Sequence, residues 1–218
     1  MAAKKKAGPG QVEAGVQGLA RLVPTQQRSR ERFERILESA AEIMAEKGNE
    51  AFRMSDIVER TGVAFGSLYQ YFPDKTAIIG TLAERYNAIG RDCVRRDLAA
   101  VKSARDLHPA LCRIVDSYHR MFNDEPVMRD IWRASQADRA LQKLDEEDGA
   151  YLAGLLDEAL RRIAPDAPSP ARASFSQLMM TLIAAAVRHA IALEPKEAAR
   201  MLALFKRMLP TNLAALEM

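Results

Sequence analysis

The sequence predicts an all-α fold, and three observations support this prediction. Hydrophobic residues make up 48% of the 218 residues but aromatic residues only 6%, and most of the apolar residues are Ala, Leu, Ile and Met. These residue types favour helices over strands. Apolar residues recur at helical spacing along most of the chain, and no segment alternates as a half-buried strand does. We therefore expect an amino-terminal three-helix head and a carboxyl-terminal helical body.

The chain is predicted to have three parts. Residues 1–24 are rich in Gly, Ala, Gln and Lys and are expected to form a disordered basic arm. Residues 25–74 are expected to form the head, and residues 75–218 the body. Residues 1–35 contain eight Lys or Arg and three acidic residues, an excess of five positive charges. Such an excess favours contact with phosphates, although a solubilising tail is the alternative for the lysines at positions 4–6.

The head is expected to begin with a helix over about residues 25–47 that ends at Gly48. One face of this helix is apolar: Phe33, Ile36, Leu37, Ala40, Ile43 and Met44. Two short helices are predicted next, at residues 55–60 and 65–71, with a turn at Gly62 that glycine adopts without steric cost. Such a helix-turn-helix is either a packing corner or a unit whose second helix enters a DNA major groove.

The string GVAFGSLYQYFPDK resembles the DNA-binding signature of the TetR/AcrR family of transcriptional regulators. The matching positions are Gly62, Val63, Gly66, Ser67, Leu68, Tyr69, Phe72 and Lys75. The resemblance implies a ligand-responsive regulator, most readily a repressor, that binds a palindromic double-stranded DNA operator as a homodimer. Two alternatives stay open: a DNA-binding regulator with no small-molecule inducer, and a helical ligand-binding or scaffold protein that does not bind DNA.

The resemblance also implies which side chains contact DNA. The expected contacts to base edges are Phe65, Gly66, Ser67 and Gln70, and the expected phosphate contacts are Tyr69, Tyr71 and Lys75. Further candidates near the starts of the first two helices are Arg28, Arg53 and Ser55. Phe65 stands where the family often has a polar residue, and it is expected to pack on a thymine methyl group. Arg53 stands near a position where the family often has Thr, and the alternative for it is to face solvent.

The body is predicted to consist of a long helix from Lys75 to about residue 101, followed by five more. Their expected ranges are 107–122, 126–136, 138–163, 170–192 and 195–209. The resemblance implies that a small apolar inducer binds between the long helix and those that follow. The lining candidates are Tyr86, Tyr118, His119, Phe122, Met128, Trp132, Met179 and Met180. The alternative is that these residues are ordinary core.

The last two predicted helices are unusually apolar. Their candidate interface residues are Leu178, Leu182, Val187, Ile191, Met201, Leu202 and Phe205. One small body cannot cover all of these, so we expect the two helices to pair with a second copy in a four-helix bundle. A two-fold dimer places two reading helices in successive major grooves. The alternative is that both helices form the core of a monomer.

Enzymatic activity, a cofactor and a metal are not expected. The three histidines are isolated: His108, His119 and His189. There is no phosphate-binding loop or nucleophile elbow. Cys93 and Cys112 are expected to be buried thiols in a reducing cytosol, with a redox pair as the alternative. The acidic run at 145–148 is expected to lie on the surface, and neither a signal peptide nor a membrane span of about 20 apolar residues is apparent, which favours a cytoplasmic protein.

Overall fold

The structure, a computed structural model, describes residues 26–216. The predicted basic arm at residues 1–24 lies outside the described residues. Between residues 26 and 216 the chain forms α-helices and no strand, which confirms the all-α prediction. The helices are α1 Gln27–Lys47, α2 Met54–Thr61, α3 Phe65–Tyr71, α4 Lys75–Ala99, α5 Ala104–Asp124, α6 Val127–Ser135, α7 Arg139–Ile163, α8 Ser169–Ala190 and α9 Pro195–Met208, and a short 3-10 helix follows at Ala214–Leu216. None of these helices is long and apolar enough to cross a membrane.

The observed helix boundaries follow local signals. Helix α5 begins three residues before its predicted start because Ser103 and Asp106 form a capping box. The Asp106 carboxylate accepts hydrogen bonds from the backbone N–H of Ser103 at 2.8 Å and of Lys102 at 3.1 Å. These bonds satisfy donors that have no partner inside the helix. The capping residues therefore start the helix ahead of its first strongly apolar residue.

The chain divides into two compact units, one ending at Ala88 and the other beginning at Ile89. This boundary falls inside α4, whereas the sequence predicted a boundary at the start of that helix. The described residues up to Ala88 are called the head below, and those from Ile89 onwards the body.

The core of the head is built from α1 and the helices that pack on it. Every residue of the predicted apolar face of α1 is buried. Phe33 stacks on Phe72 with ring centroids 5.0 Å apart and meets Tyr71 edge-on at 5.8 Å. Leu68 of α3 is fully buried as well. Each large apolar side chain buried in this way stabilises the fold by roughly 1.5–3 kcal/mol, so the head has an aromatic centre that anchors α3.

The body is centred on α7 and α8, which pack along each other. The buried apolar residues of these two helices include Leu141, Leu156, Leu160, Phe175, Ile183 and Val187. Helix α9 is joined to α5 by an ion pair between Lys206 and Asp116, 2.8 Å apart. Cys93 and Cys112 are half-buried and carry free thiols.

Candidate nucleic-acid interface and ligand-binding cluster

Helix α3 has one buried and one exposed face. Leu68 and Tyr71 are buried, whereas Phe65, Gly66, Tyr69 and Gln70 are exposed. Phe65 and Tyr69 are four positions apart, and so are Gly66 and Gln70. The four exposed residues therefore share one face of the helix. The predicted base-contacting residue Ser67 is half-buried beside them. The buried side of the helix thus fixes its position, and the other side is presented to solvent.

An aromatic pair dominates the exposed face of α3. Phe65 is 48% exposed and Tyr69 42% exposed, and their rings stack with centroids 6.3 Å apart and planes inclined by 18°. A Cβ atom added to Gly66 would meet no other atom within 4 Å. Packing inside the chain therefore does not require glycine at this position. The missing side chain leaves bare backbone beside the two rings, where a partner can approach closely.

The turn between α2 and α3 is held by local hydrogen bonds. Gly62 has φ of 67° and ψ of 10°, the left-handed conformation that favours glycine, and its N–H donates to the carbonyl oxygen of Val58 at 2.9 Å. The Thr61 hydroxyl donates to the carbonyl of Ile57 at 2.6 Å and accepts from the N–H of Val63 at 3.2 Å. These bonds set the direction in which α3 leaves the turn.

Three predicted DNA contacts lie outside α3 and are exposed: Arg28, Arg53 and Ser55. The start of α2 is fixed by Asp56, whose carboxylate accepts from the backbone N–H of Arg53 at 2.9 Å and from Lys47 Nζ at 3.1 Å. The hydrogen bond from Arg53, followed by the one from Lys47, holds the pKa of Asp56 below its ordinary value. Asp56 is therefore ionised near neutral pH and caps the helix that presents Arg53 and Ser55.

Two residues predicted to contact phosphate, Tyr71 and Lys75, make hydrogen bonds inside the head. Tyr71 is 3% exposed, and its hydroxyl oxygen lies 2.6 Å from the hydroxyl oxygen of Ser29. The structure thus gives Tyr71 a packing role in place of the predicted phosphate contact, because its ring faces the aromatic core. Lys75 is half-buried and donates from Nζ to the carbonyl oxygen of Asn49 at 3.0 Å. Its ammonium group has two further N–H donors, so its phosphate contact stays a prediction.

In the body, four helices meet at the guanidinium group of Arg188. Its Nη1 atom donates to the Asp145 carboxylate at 2.9 Å, Nη2 donates to the other oxygen of that carboxylate, and Nε donates to the Tyr118 hydroxyl at 3.2 Å. The guanidinium carbon lies 5.9 Å from the centre of the Trp132 ring. We call these four residues the Arg188 cluster. Burial raises the pKa of the Tyr118 phenol, so Tyr118 stays neutral near pH 7 and Asp145 supplies the counter-charge.

The other predicted lining residues occupy different positions. Phe122 is buried and meets the Tyr118 ring at a centroid distance of 5.1 Å. Three more are buried in the body: Met128, Met179 and Met180. His119 is half-buried, with Nε2 3.4 Å from the side-chain nitrogen of Asn123, and Tyr86 is half-buried in the head. Tyr118 and Trp132 both contact the guanidinium group of Arg188.

Helices α8 and α9 each expose an apolar pair. Leu178 and Leu182 on α8 are 54% and 41% exposed, and Leu204 and Met208 on α9 are 51% and 73% exposed. In each pair the residues are four positions apart and share one face. Three predicted interface residues are buried within the body, and a second copy cannot reach them: Val187, Ile191 and Leu202. Met201 and Phe205 are half-buried, so the exposed leucines and Met208 are the stronger candidates.

Comparison with known families gives the head and the body the same assignment. Residues 36–82 match the family described as bacterial regulatory proteins, tetR family. Residues 105–217, more than half of the chain, match the tetracyclin repressor-like C-terminal domain. The chain belongs to the TetR family. TetR-family proteins are DNA-binding transcriptional regulators and not enzymes, so the predicted family and functional class are confirmed.

Individual TetR-family relatives cover the chain unevenly. A stretch of 75 residues, 34% of this chain, is 37% identical to the transcriptional repressor KstR of Mycolicibacterium smegmatis and spans 34% of that protein. A TetR-family regulator from Pectobacterium atrosepticum shares the fold with a TM-score of 0.67 and 17% identity, over 88% of this chain and 98% of that one. SmeT in complex with triclosan has a TM-score of 0.62 and 18% identity, over 84% and 90% of the two chains. The matched stretches span only 27–34% of the curated relatives.

Arg188 is not among the residues predicted to form a site, and its partner Asp145 lies in a different environment from the one predicted. The acidic run at 145–148 was expected to lie on the surface, but Asp145 and Asp148 are half-buried, and only the two glutamates between them are exposed. Asp148 accepts a hydrogen bond from Nε of Arg91. The two aspartates are three residues apart, which places both on one face of α7. This spacing in the sequence could have indicated that Asp145 and Asp148 share an environment that the two glutamates do not.

Proposed function

We propose that this TetR-family regulator represses transcription by binding a palindromic operator as a homodimer, and that a small apolar inducer releases it. The observation that carries the proposal is the exposed face of α3, which consists of Phe65, Gly66, Tyr69 and Gln70. The opposite face of the helix, with Leu68 and Tyr71, is buried. A helix held on one side and exposed on the other is what insertion into a major groove needs.

The chemistry of the α3 face suggests a role for each side chain. The Phe65 ring packs on a thymine methyl group, and the Gln70 amide reads an adenine edge with two hydrogen bonds. The Tyr69 hydroxyl and Lys75 donate to phosphates, which fixes the register of the helix but carries no sequence information. Arg28, Arg53, Ser55 and Ser67 add further contacts around the same surface.

The exposed leucines of α8 and α9 support a two-fold dimer. Two apolar pairs on neighbouring helices leave a hydrophobic surface that a second copy covers by forming a four-helix bundle. A two-fold axis through this bundle gives the dimer two copies of the α3 face, so the operator has the same symmetry. Each protomer then reads one half-site.

The Arg188 cluster supports the inducer site. Tyr118 and Trp132 offer aromatic faces, and Arg188 supplies donors to orient a polar group of the ligand. SmeT, a protein of the same fold, is known in complex with triclosan, a small molecule. For release, the inducer must bind more tightly to the conformation with low operator affinity than to the one that binds DNA.

The first test is selection of bound duplexes from a random pool with the purified full chain. We expect an enriched palindrome. The logarithm of the protein's affinity for it should fall linearly with the logarithm of the salt concentration. Phe65→Ala and Gln70→Ala should each weaken binding to that duplex about tenfold, equivalent to roughly 1.4 kcal/mol, and relax specificity at one position in each half-site. Gln142→Ala, at an exposed glutamine of α7, is the matched control and should bind as the unaltered protein does. Unchanged affinity in both head variants would rule out α3 as the reading helix.

The second test uses the single tryptophan, Trp132, as a fluorescent reporter of ligand binding. Apolar compounds that change its emission should also weaken operator binding. Thermodynamic linkage requires that the operator weaken compound binding by the same factor, which titration in both orders measures. Compounds that change the emission but leave operator affinity untouched would contradict the inducer role of the cluster.

A further inference from the structure

The body contains a second candidate site, an open cleft of about 390 Å³ between the carboxyl half of α4 and α5. Its lining residues are Cys93, Arg96, Asp97, Ser117, Arg120, Met121 and Asp124. The two helices run antiparallel here, because Gly90 lies beside Met121 whereas Asp97 bonds Arg113. The cleft shares no lining residue with the Arg188 cluster, and its volume suits a small molecule.

The cleft contains two guanidinium groups that have no carboxylate partner among residues 26–216. Arg96 donates from Nη2 to Cys93 Sγ at 3.2 Å and from Nε to the backbone carbonyl of Asp92 at 3.3 Å. The Arg120 side chain makes no hydrogen bond or ion pair with any residue between positions 26 and 216. A guanidinium group carries five N–H donors in a plane, so most donors in the cleft remain available to an incoming acceptor.

The acidic residues of the cleft offset only part of this positive charge. The Asp97 carboxylate is paired with Nε of Arg113 at 2.7 Å, and Arg113 does not line the cleft. Asp124 is the last residue of α5, and its carboxylate makes no hydrogen bond or ion pair with a residue between positions 26 and 216. Two guanidinium groups thus face a single unpaired carboxylate, which leaves the cleft with a net attraction for anions.

Of the three remaining lining residues, Cys93 and Met121 carry sulfur and the third is Ser117. The Met121 side chain lies over Gly90, where an added Cβ would be 3.9 Å from Cε and 4.0 Å from Sδ of Met121. The Cys93 thiol is half-buried about one helical turn further along α4. Thioether and thiol groups also pack well against hydrocarbon.

We propose that this cleft binds a small organic carboxylate, with the carboxylate group between Arg96 and Arg120 and the hydrocarbon part against Met121 and Cys93. Planar guanidinium donors match the two oxygens of a carboxylate. The combination of a cationic rim and a sulfur-lined base selects an acid with a short apolar chain over a purely inorganic anion. The proposal does not depend on the operator or on the inducer.

Isothermal titration calorimetry of the full chain with sodium hexanoate tests the site, at low ionic strength in an uncharged buffer. Arg96→Gln and Arg120→Gln should each weaken hexanoate binding about tenfold, because each removes charge-assisted hydrogen bonds. Asp124→Asn should tighten binding about threefold, because it removes the carboxylate in the cleft that no described cation neutralises. Arg105→Gln, at an exposed arginine of α5 outside the cleft, is the matched control and should leave the affinity unchanged.

Labelling with iodoacetamide, read by mass spectrometry, locates the bound probe. Hexanoate should slow the labelling of Cys93 and leave Cys112 unaffected, because Cys112 does not line the cleft. Burial raises the pKa of the Cys112 thiol, so its labelling should be slow and should accelerate at alkaline pH. Absence of hexanoate binding at about 10 mM, equal affinities in the two arginine variants and the unaltered protein, or an unprotected Cys93 would each overturn the proposal. Acetate or phosphate binding as tightly as hexanoate would overturn the assignment of an apolar chain.

Discussion

The double substitution Leu182→Glu and Leu204→Glu is expected to convert the protein into a monomer and to weaken operator binding by more than about 100-fold. Both leucines are exposed in the protomer, so in the proposed four-helix bundle they lie in the interface. Four glutamates in one interface would bury unpaired like charges, which costs several kcal/mol. A monomer binds one half-site only. It therefore lacks the additional affinity that a dimer obtains by binding two half-sites at once.

Light scattering coupled to size-exclusion chromatography measures the change in mass, and titration with the selected duplex measures the change in affinity. Ala100→Glu, at an exposed position in the connection between α4 and α5, is the control and should remain dimeric. Far-ultraviolet circular dichroism should show unchanged helix content in the variant, because neither leucine belongs to the protomer core. A variant that stays dimeric and binds the duplex normally would show that this face is not the interface.

The head could be predicted well because its signals are local. Gly62 and Pro73 mark the turn and the end of α3 in the sequence itself, and the observed helices lie within one residue of the predicted ranges at 55–60 and 65–71. The assignment of Tyr71 failed although a signal was present. Tyr71 is three residues after the buried Leu68, which places it on the same side of α3, and its polar hydroxyl suggested an exposed contact instead.

The body was less predictable because its informative contacts join distant parts of the chain. Arg188 and Asp145 are 43 residues apart in sequence, and no local pattern connects them. Apolar character alone also does not show which molecule buries a residue. Val187 and Leu182 lie on the same apolar helix, but Val187 is fully buried in the body, whereas Leu182 is 41% exposed. Only the packed structure separates the core from the candidate interface.

Phe72→Ala is expected to lower the free energy of unfolding by about 3–5 kcal/mol. The Phe72 side chain is fully buried and stacks on Phe33, so its removal leaves a cavity at the centre of the head in addition to the lost transfer free energy. Urea denaturation followed by circular dichroism measures the loss. The same substitution at Phe65 is the matched control, because Phe65 is 48% exposed and its ring stacks on that of Tyr69.

Phe65→Ala should cost about 1 kcal/mol of stability or less, since only a solvent-exposed ring contact is removed. The two variants therefore separate folding from recognition. Phe65→Ala is expected to fold normally and bind the operator weakly, whereas Phe72→Ala should lose operator binding in step with the unfolding of its head. If Phe72→Ala were as stable as Phe65→Ala, the aromatic core would not be what holds α3 in place. Packing contacts other than those of Phe72 would then hold α3 in the position that presents Phe65 and Tyr69 to a major groove.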